Sequence, residues 1–171
     1  MNKKQLIGRE REARLLDDIC TSGKAEFVAV YGRRRVGKTF LIDSYFQQQY
    51  DFFMVGMYEG NKSEQLGNFA HQLALYSKTI QPAPPDWMEA FFQLQSYLKT
   101  LLNKDRIVIF IDELPWFDMP RSRFLKAFEL FWNSWASKQD NLKLIVCGSS
   151  TSWMTNKLIS LDRKSGSAGM P

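Results

Sequence analysis

The sequence predicts an α/β fold in which a mostly parallel sheet carries helices on both faces. Four short apolar runs have no polar alternation, as strands buried on both faces should have none: "FVAVY" (Phe27–Tyr31), Phe52–Met57, "RIVIFI" (Arg106–Ile111) and "LKLIVC" (Leu142–Cys147). Between them lie stretches whose apolar residues recur at three-and-four spacing. Alternation of the two kinds implies right-handed crossovers and parallel strands. A third observation fixes one junction. A Gly, four residues, then Gly-Lys-Thr follows directly on the first strand and opens a helix.

Taken in order, Arg9–Thr21 places Ala13, Leu16, Ile19 and Cys20 on one helical face, and Gly23 supplies a stop. After the first strand, Thr39–Gln49 reads as a helix with Phe40, Leu41, Tyr45 and Phe46 on its buried side. The second strand follows. Asn61 with Glu64 three residues later resembles a reciprocal cap for a helix carrying Leu66, Phe69, Ala70, Leu73 and Ala74, ending near Ile80. "QPAPP" breaks the chain, and Asp86 with Glu89 caps another helix through Phe91, Phe92, Leu98 and Leu102. The third strand ends in Asp112-Glu113 and leads into the loop "LPWFDMP". Arg121–Lys138 then aligns Phe124, Phe128, Phe131, Trp132 and Trp135, and the fourth strand runs into Gly148-Ser149-Ser150.

Composition narrows the class. At 171 residues and 44% hydrophobic content the chain suits one domain with a sizeable core. No apolar run reaches the roughly 18 residues of a membrane-spanning helix, and no signal-peptide pattern opens the chain, so a cytoplasmic protein without a membrane partner is expected. Two distant cysteines and one histidine argue against a disulfide scaffold or a zinc site. A formal charge of +5 permits a nucleic-acid partner without demanding one. Thirteen Phe and five Trp fall largely at helical spacing, which assigns them to packing on the sheet.

The Gly32–Thr39 segment carries chemistry because of where it stands. A glycine turn between strand and helix aims consecutive N–H groups at phosphate oxygens, and the new helix adds the positive end of its dipole. Lys38 would place its ammonium between the β- and γ-phosphates, and the Thr39 hydroxyl would ligate Mg²⁺. Main chain makes the cradle, so Arg33, Arg34 and Arg35 can project outward. Asp112, at the carboxyl end of an apolar strand, can hold Mg²⁺ through water, and Glu113 would act as general base on an attacking water. Ser149 or Ser150 would emerge beside Glu113 if the fourth strand lies between the first and third; the competing reading makes Ser150 a helix cap. His71, among apolar neighbours, reads as packing. "LPWFDMP" is either a nucleotide-responsive or partner-binding loop or a cover for the sheet edge.

"LIGREREARLL", "YGRRRVGKTFLI", "IFIDELPWFD" and "LIVCGSSTSWM", in this order, resemble the prokaryotic archaeal-type ATPases, a branch of the AAA+/STAND-like P-loop ATPases. The resemblance implies a three-layer α/β/α sandwich and Mg²⁺-dependent hydrolysis of ATP to ADP and phosphate. It implies Walker A at Gly32, Arg33, Arg34, Arg35, Val36, Gly37, Lys38 and Thr39, followed by Phe40. Walker B falls at Asp112 and Glu113, a sensor-1-like position at Ser149, and adenine contacts at Ile7, Gly8 and Arg9. Catalysis would rest on Glu113, Lys38 and Ser149, with Thr39 and Asp112 on the metal. An arginine supplied in trans by a second copy would complete the transition-state charge.

Members of that family usually continue with another core strand and a helical lid. The expected organisation is an ATPase core over 1–161, with an adenine-side segment (1–24) and a phosphate-binding core (25–161). A small, polar tail over 162–171 is expected to be disordered. A core so trimmed is expected to turn over weakly or not at all. The alternative function is an ATP-dependent switch, or a DNA-associated module with slow hydrolysis.

Overall fold

The computed structural model describes residues 9–165 and 168–170. The four apolar runs form β1 (Glu26–Tyr31), β2 (Phe52–Val55), β3 (Ile107–Asp112) and β4 (Leu142–Gly148). Helix α1 (Glu10–Thr21) precedes β1, and α2 (Lys38–Phe46) follows it. Two helices, α3 (Lys62–Ser77) and α4 (Trp87–Lys99), separate β2 from β3; α5 (Phe124–Ser134) precedes β4, and α6 (Thr151–Ser165) follows it. A short β5 (Ala168–Met170) completes a five-stranded, all-parallel sheet of order β2-β3-β4-β1-β5.

Each strand feeds two cores by alternation, since successive side chains leave opposite faces. Phe27, Ala29, Ile107, Ile109, Ile111, Leu144 and Val146 pack under α3, α4, α5 and α6. Val28, Val30, Val108, Phe110, Ile145 and Cys147 pack under α1 and α2, against Leu16, Ile19, Leu41 and Ile42. The first core is aromatic. Trp87 meets Phe117 and Phe124 edge-on at 5.3 and 4.9 Å, the geometry that ring quadrupoles favour. Burial of these rings is what assigns the high Phe and Trp content to packing.

The capping expectations hold. Asn61 accepts from the Glu64 amide while Glu64 returns a bond to the Asn61 amide, and Asp86 accepts from the Glu89 amide. Several side chains differ from the reading. Phe40 is 58% exposed, because the buried stripe of α2 runs through Leu41, Ile42, Tyr45 and Phe46 and turns position 40 outward. Phe92 and Leu102 are exposed as well, the first pointing away from the Phe91–Leu94–Leu98 stripe. His71 is exposed and not packed. "LPWF" forms a 3₁₀ turn (Leu114–Phe117) that buries Leu114 and Phe117.

The far edge also differs. Residues 162–165 continue α6, and Ala168–Met170 pairs in parallel with Val28–Val30, where a disordered tail was expected. The free edge of β1 offers unpaired N–H and C=O groups, and an Ala-Gly-Met segment can meet them through main chain alone.

Candidate nucleotide-binding site

Parallel register brings the ends of four strands to one edge. Tyr31 pairs with Gly148, Ile111 with Val146 and Val55 with Asp112, so the segments starting at Gly32, Gly56, Glu113 and Ser149 all leave the sheet together. β4 lies between β1 and β3, and α1 and α2 lie on one face, α3 to α6 on the other. The crevice beside β1 is thus where strand order reverses, the usual ligand position in open α/β sheets.

Gly37 forms the N-cap of α2 at φ 83°, a left-handed conformation that favours glycine. Lys38 follows and is 8% exposed. Its ammonium donates to the carbonyl oxygens of Gly32 (2.9 Å) and Arg33 (2.7 Å). Among the described residues no carboxylate forms an ion pair with it. A buried cation with no counter-charge is costly unless an anion joins it, so the geometry fits a phosphate.

The Thr39 hydroxyl donates to Asp112 Oδ2 at 2.7 Å, and the Glu113 amide donates to Asp112 Oδ1 at 2.8 Å. Burial pushes the Asp112 carboxyl above the usual carboxylate range, against the opposing pull of those two donors. Hydroxyl and carboxylate together offer hard oxygen ligands suited to Mg²⁺. No group of three His, Cys, Asp or Glu among the described residues could hold a metal unaided.

Glu113 sits at φ 49° and ψ 46°, a strained backbone for a residue with a Cβ, of the kind that clusters at functional positions. Its Oε2 accepts from Ser149 Oγ at 3.1 Å. Ser150 is exposed and its carbonyl accepts from the Met154 amide, so it starts α6. Ser149 therefore touches Glu113, whereas Ser150 stands just before Thr151, the first residue of α6.

Of the adenine-side residues, Ile7 and Gly8 lie outside the described residues. Arg9 is described, and its guanidinium donates to the Val36 carbonyl, joining the N-terminal segment to the loop. Arg9, Tyr31, Gly32, Val36 and Lys38 line a cavity of about 260 Å³. Arg33, Arg34 and Arg35 are exposed, as expected of side chains that leave the cradle to main chain. Arg121 and Arg123 are exposed too.

Sequence reasoning missed Gln65. It is 1% exposed, accepts from the Met57 amide and donates to the carbonyls of Met57 and Trp116. A polar residue beside Leu66 on a buried stripe was the available signal.

A strand, glycine loop and helix with a lysine and threonine, facing an Asp-Glu pair across a parallel sheet, define a P-loop ATPase core. The chain belongs to the family described as an ATPase domain predominantly from Archaea, whose match spans residues 6–169. An uncharacterized protein of Methanocaldococcus jannaschii is 32% identical over 154 residues, which are 90% of this chain and 32% of that protein. The chain thus spans about a third of that relative. Among solved structures, the Walker-type ATPase PABY2304 of Pyrococcus abyssi superposes with a TM-score of 0.61 at 19% identity, covering 92% of this chain and 49% of that one. Cdc6p from Pyrobaculum aerophilum gives 0.62 at 17% identity, covering 98% and 45%. Similarity at these identities establishes the fold. No helix among the described residues is long and apolar enough to cross a membrane.

Proposed function

We propose that this chain binds ATP with Mg²⁺ at the carboxyl edge of the sheet and forms the hydrolytic core of an ATPase. The observation that carries the proposal is the buried Lys38 ammonium, held by loop carbonyls with no carboxylate partner, next in sequence to the Thr39 that bonds Asp112. Loop amides from Gly32 to Thr39 and the start of α2 would hold the phosphates, and Lys38 would neutralise them. Thr39 and Asp112 would hold Mg²⁺, which supplies further charge neutralisation. Glu113 would take a proton from water, with Ser149 fixing the carboxylate's orientation. Arg9 would close the base side of the loop. Two free thiols, both raised by burial, suit a reducing cytoplasmic setting.

A calorimetric titration with Mg-ATP tests this directly. Saturable binding by the wild type, lost in Lys38→Ala and kept in Glu113→Gln, is expected, with phosphate release lost in both. Equal binding by wild type and Lys38→Ala would sink the proposal. Turnover by this chain alone is expected to be slow, and to rise if a second copy supplies an arginine in trans.

A second reading is a nucleotide-dependent module associated with DNA. Exposed Arg33 and Arg35 beside the site favour it, as does the fold shared with Drosophila ORC, whose structure is of a DNA-bound complex (TM-score 0.53, 15% identity). Binding that weakens steeply with salt and is lost on replacing Arg33 and Arg35 would support it; salt-independent behaviour would end it.

A further inference from the structure

The arginines of the phosphate-binding loop are not equivalent. Arg34 turns back across the edge of the sheet. Its guanidinium carbon lies 5.4 Å from the Trp116 ring centroid and 5.9 Å from that of Tyr58. Both are inside the roughly 6 Å over which an aromatic face holds a cation. The two rings meet edge-on at 5.5 Å with 62° between their planes, so they form an aromatic corner that holds the cation on two sides.

That corner belongs to a unit built around Glu113. The Trp116 amide donates to the Glu113 carbonyl at 3.0 Å, closing the 3₁₀ turn on the strained residue. Gln65, buried in α3, ties the Trp116 carbonyl to both backbone groups of Met57, one residue before Tyr58. The Gly56 amide donates to the Asp112 carbonyl, and a Cβ at Gly56 would stand 2.5 Å from the Glu113 carbonyl oxygen. The segment after β2 therefore presses on Glu113 with no room between them. Through Arg34 the phosphate-binding loop rests on this same unit.

We propose that Arg34 is a positioning residue: its guanidinium latches the phosphate-binding loop onto the Trp116–Tyr58 corner, so that the loop's position sets that of the Glu113 carboxylate. The proposal rests on the ATPase reading above. Arg34 touches neither phosphate nor water in this role. It acts through Trp116 and the turn, and lysine, lacking a planar cation, replaces it only in part.

The test uses Trp116 emission in the 171-residue chain, isolated by subtracting the spectrum of Trp116→Phe. Without nucleotide, Arg34→Ala should raise the acrylamide quenching of Trp116 about two-fold, with Arg34→Lys intermediate, because an exposed cation–π contact of this kind shields the ring. With saturating Mg-ATP, the wild type should change its Trp116 emission and Arg34→Ala should not. The maximal rate of phosphate release should fall roughly 2- to 5-fold in Arg34→Ala, while the Mg-ATP dissociation constant, read by calorimetry, shifts less than about three-fold. Unchanged quenching in Arg34→Ala overturns the latch. Raised quenching with an intact emission response and an intact rate overturns the transmission to Glu113. Failure of the ATPase reading looks different: the wild type then fails to bind Mg-ATP, and the transmission falls with it, whereas failure of the latch alone leaves binding intact.

Discussion

Replacing Gly148 by alanine should disturb chemistry without touching the phosphate loop. Gly148 closes β4, directly before Ser149. A Cβ there would stand 2.6 Å from Met154 Sδ and 2.8 Å from Pro115 Cδ. Comfortable contact between carbons needs about 3.5 Å, so the overlap with Pro115 is roughly 0.7 Å. The Met154 thioether can swing aside. The proline ring cannot bend, so the 3₁₀ turn that begins after Glu113 must shift. Overpacking of this size costs about 1–3 kcal/mol, which for a chain of this length lowers Tm by about 2–12 °C. The same shift should draw Glu113 from its 3.1 Å contact with Ser149. Mg-ATP binding should therefore persist while phosphate release drops. Differential scanning calorimetry with Gly67→Ala as control makes the comparison sharp, because a Cβ at Gly67 meets nothing within 4 Å. Alanine in that exposed helix should stabilise by about 0.5–1 kcal/mol. A Gly148→Ala protein that melts with the wild type and releases phosphate at the same rate would refute the reasoning.

Three further outcomes are expected. Asp112 has a folded pKa raised by burial, so ionising it costs stability; that cost is absent below the unfolded pKa and grows as pH rises through the folded one. Ligand-free Asp112→Asn should accordingly gain on the wild type as pH goes from about 3 to 7 in urea titrations, and a flat difference would contradict the shift. Gln65→Leu leaves the Met57 amide and the Trp116 carbonyl without their partner and the Met57 carbonyl with the Gly60 amide alone, at a cost of about 1–3 kcal/mol and with faster hydrogen exchange at Met57. Trp87→Ala removes the ring that packs edge-on against the stacked Phe117–Phe124 pair and should destabilise by about 3–5 kcal/mol, the largest of these effects, measurable as a shift of the urea midpoint.

Much of the architecture was legible because parallel strands buried on both faces lack alternation, as in "FVAVY" and "RIVIFI". The Gly-Lys-Thr and Asp-Glu segments were legible because each stands at a strand end. Their mutual approach was not contained in spacing; it follows from β4 entering between β1 and β3, a pairing that the sequence suggested only conditionally. Phe40 was misjudged because an apolar residue beside an apolar stripe reads as part of it. The tail misled for another reason. Small, polar composition resembles disorder, yet β5 is held by main-chain pairing, which composition does not report. Arg34 could not be read at all, since Tyr58, Trp116 and the loop come from three separate stretches that meet only at the sheet edge.

The strand order also bears on how the chain acquires its shape during synthesis. β1 is made early, but the neighbour that fills the sheet's centre, from Glu26 with Lys143 to Tyr31 with Gly148, is made only after β2, β3 and the helices around them. Closing so long a loop costs entropy before any pairing repays it, and such non-local contacts form slowly. A ribosome-bound chain halted before Leu142 would carry the whole glycine loop yet lack the strand that aligns it with Glu113. It would also expose both hydrogen-bonding edges of β1 to other nascent chains. The edge that gathers Gly32, Glu113 and Ser149 thus cannot mature before β4 emerges, and a cell would have to shelter a sticky half-sheet until then.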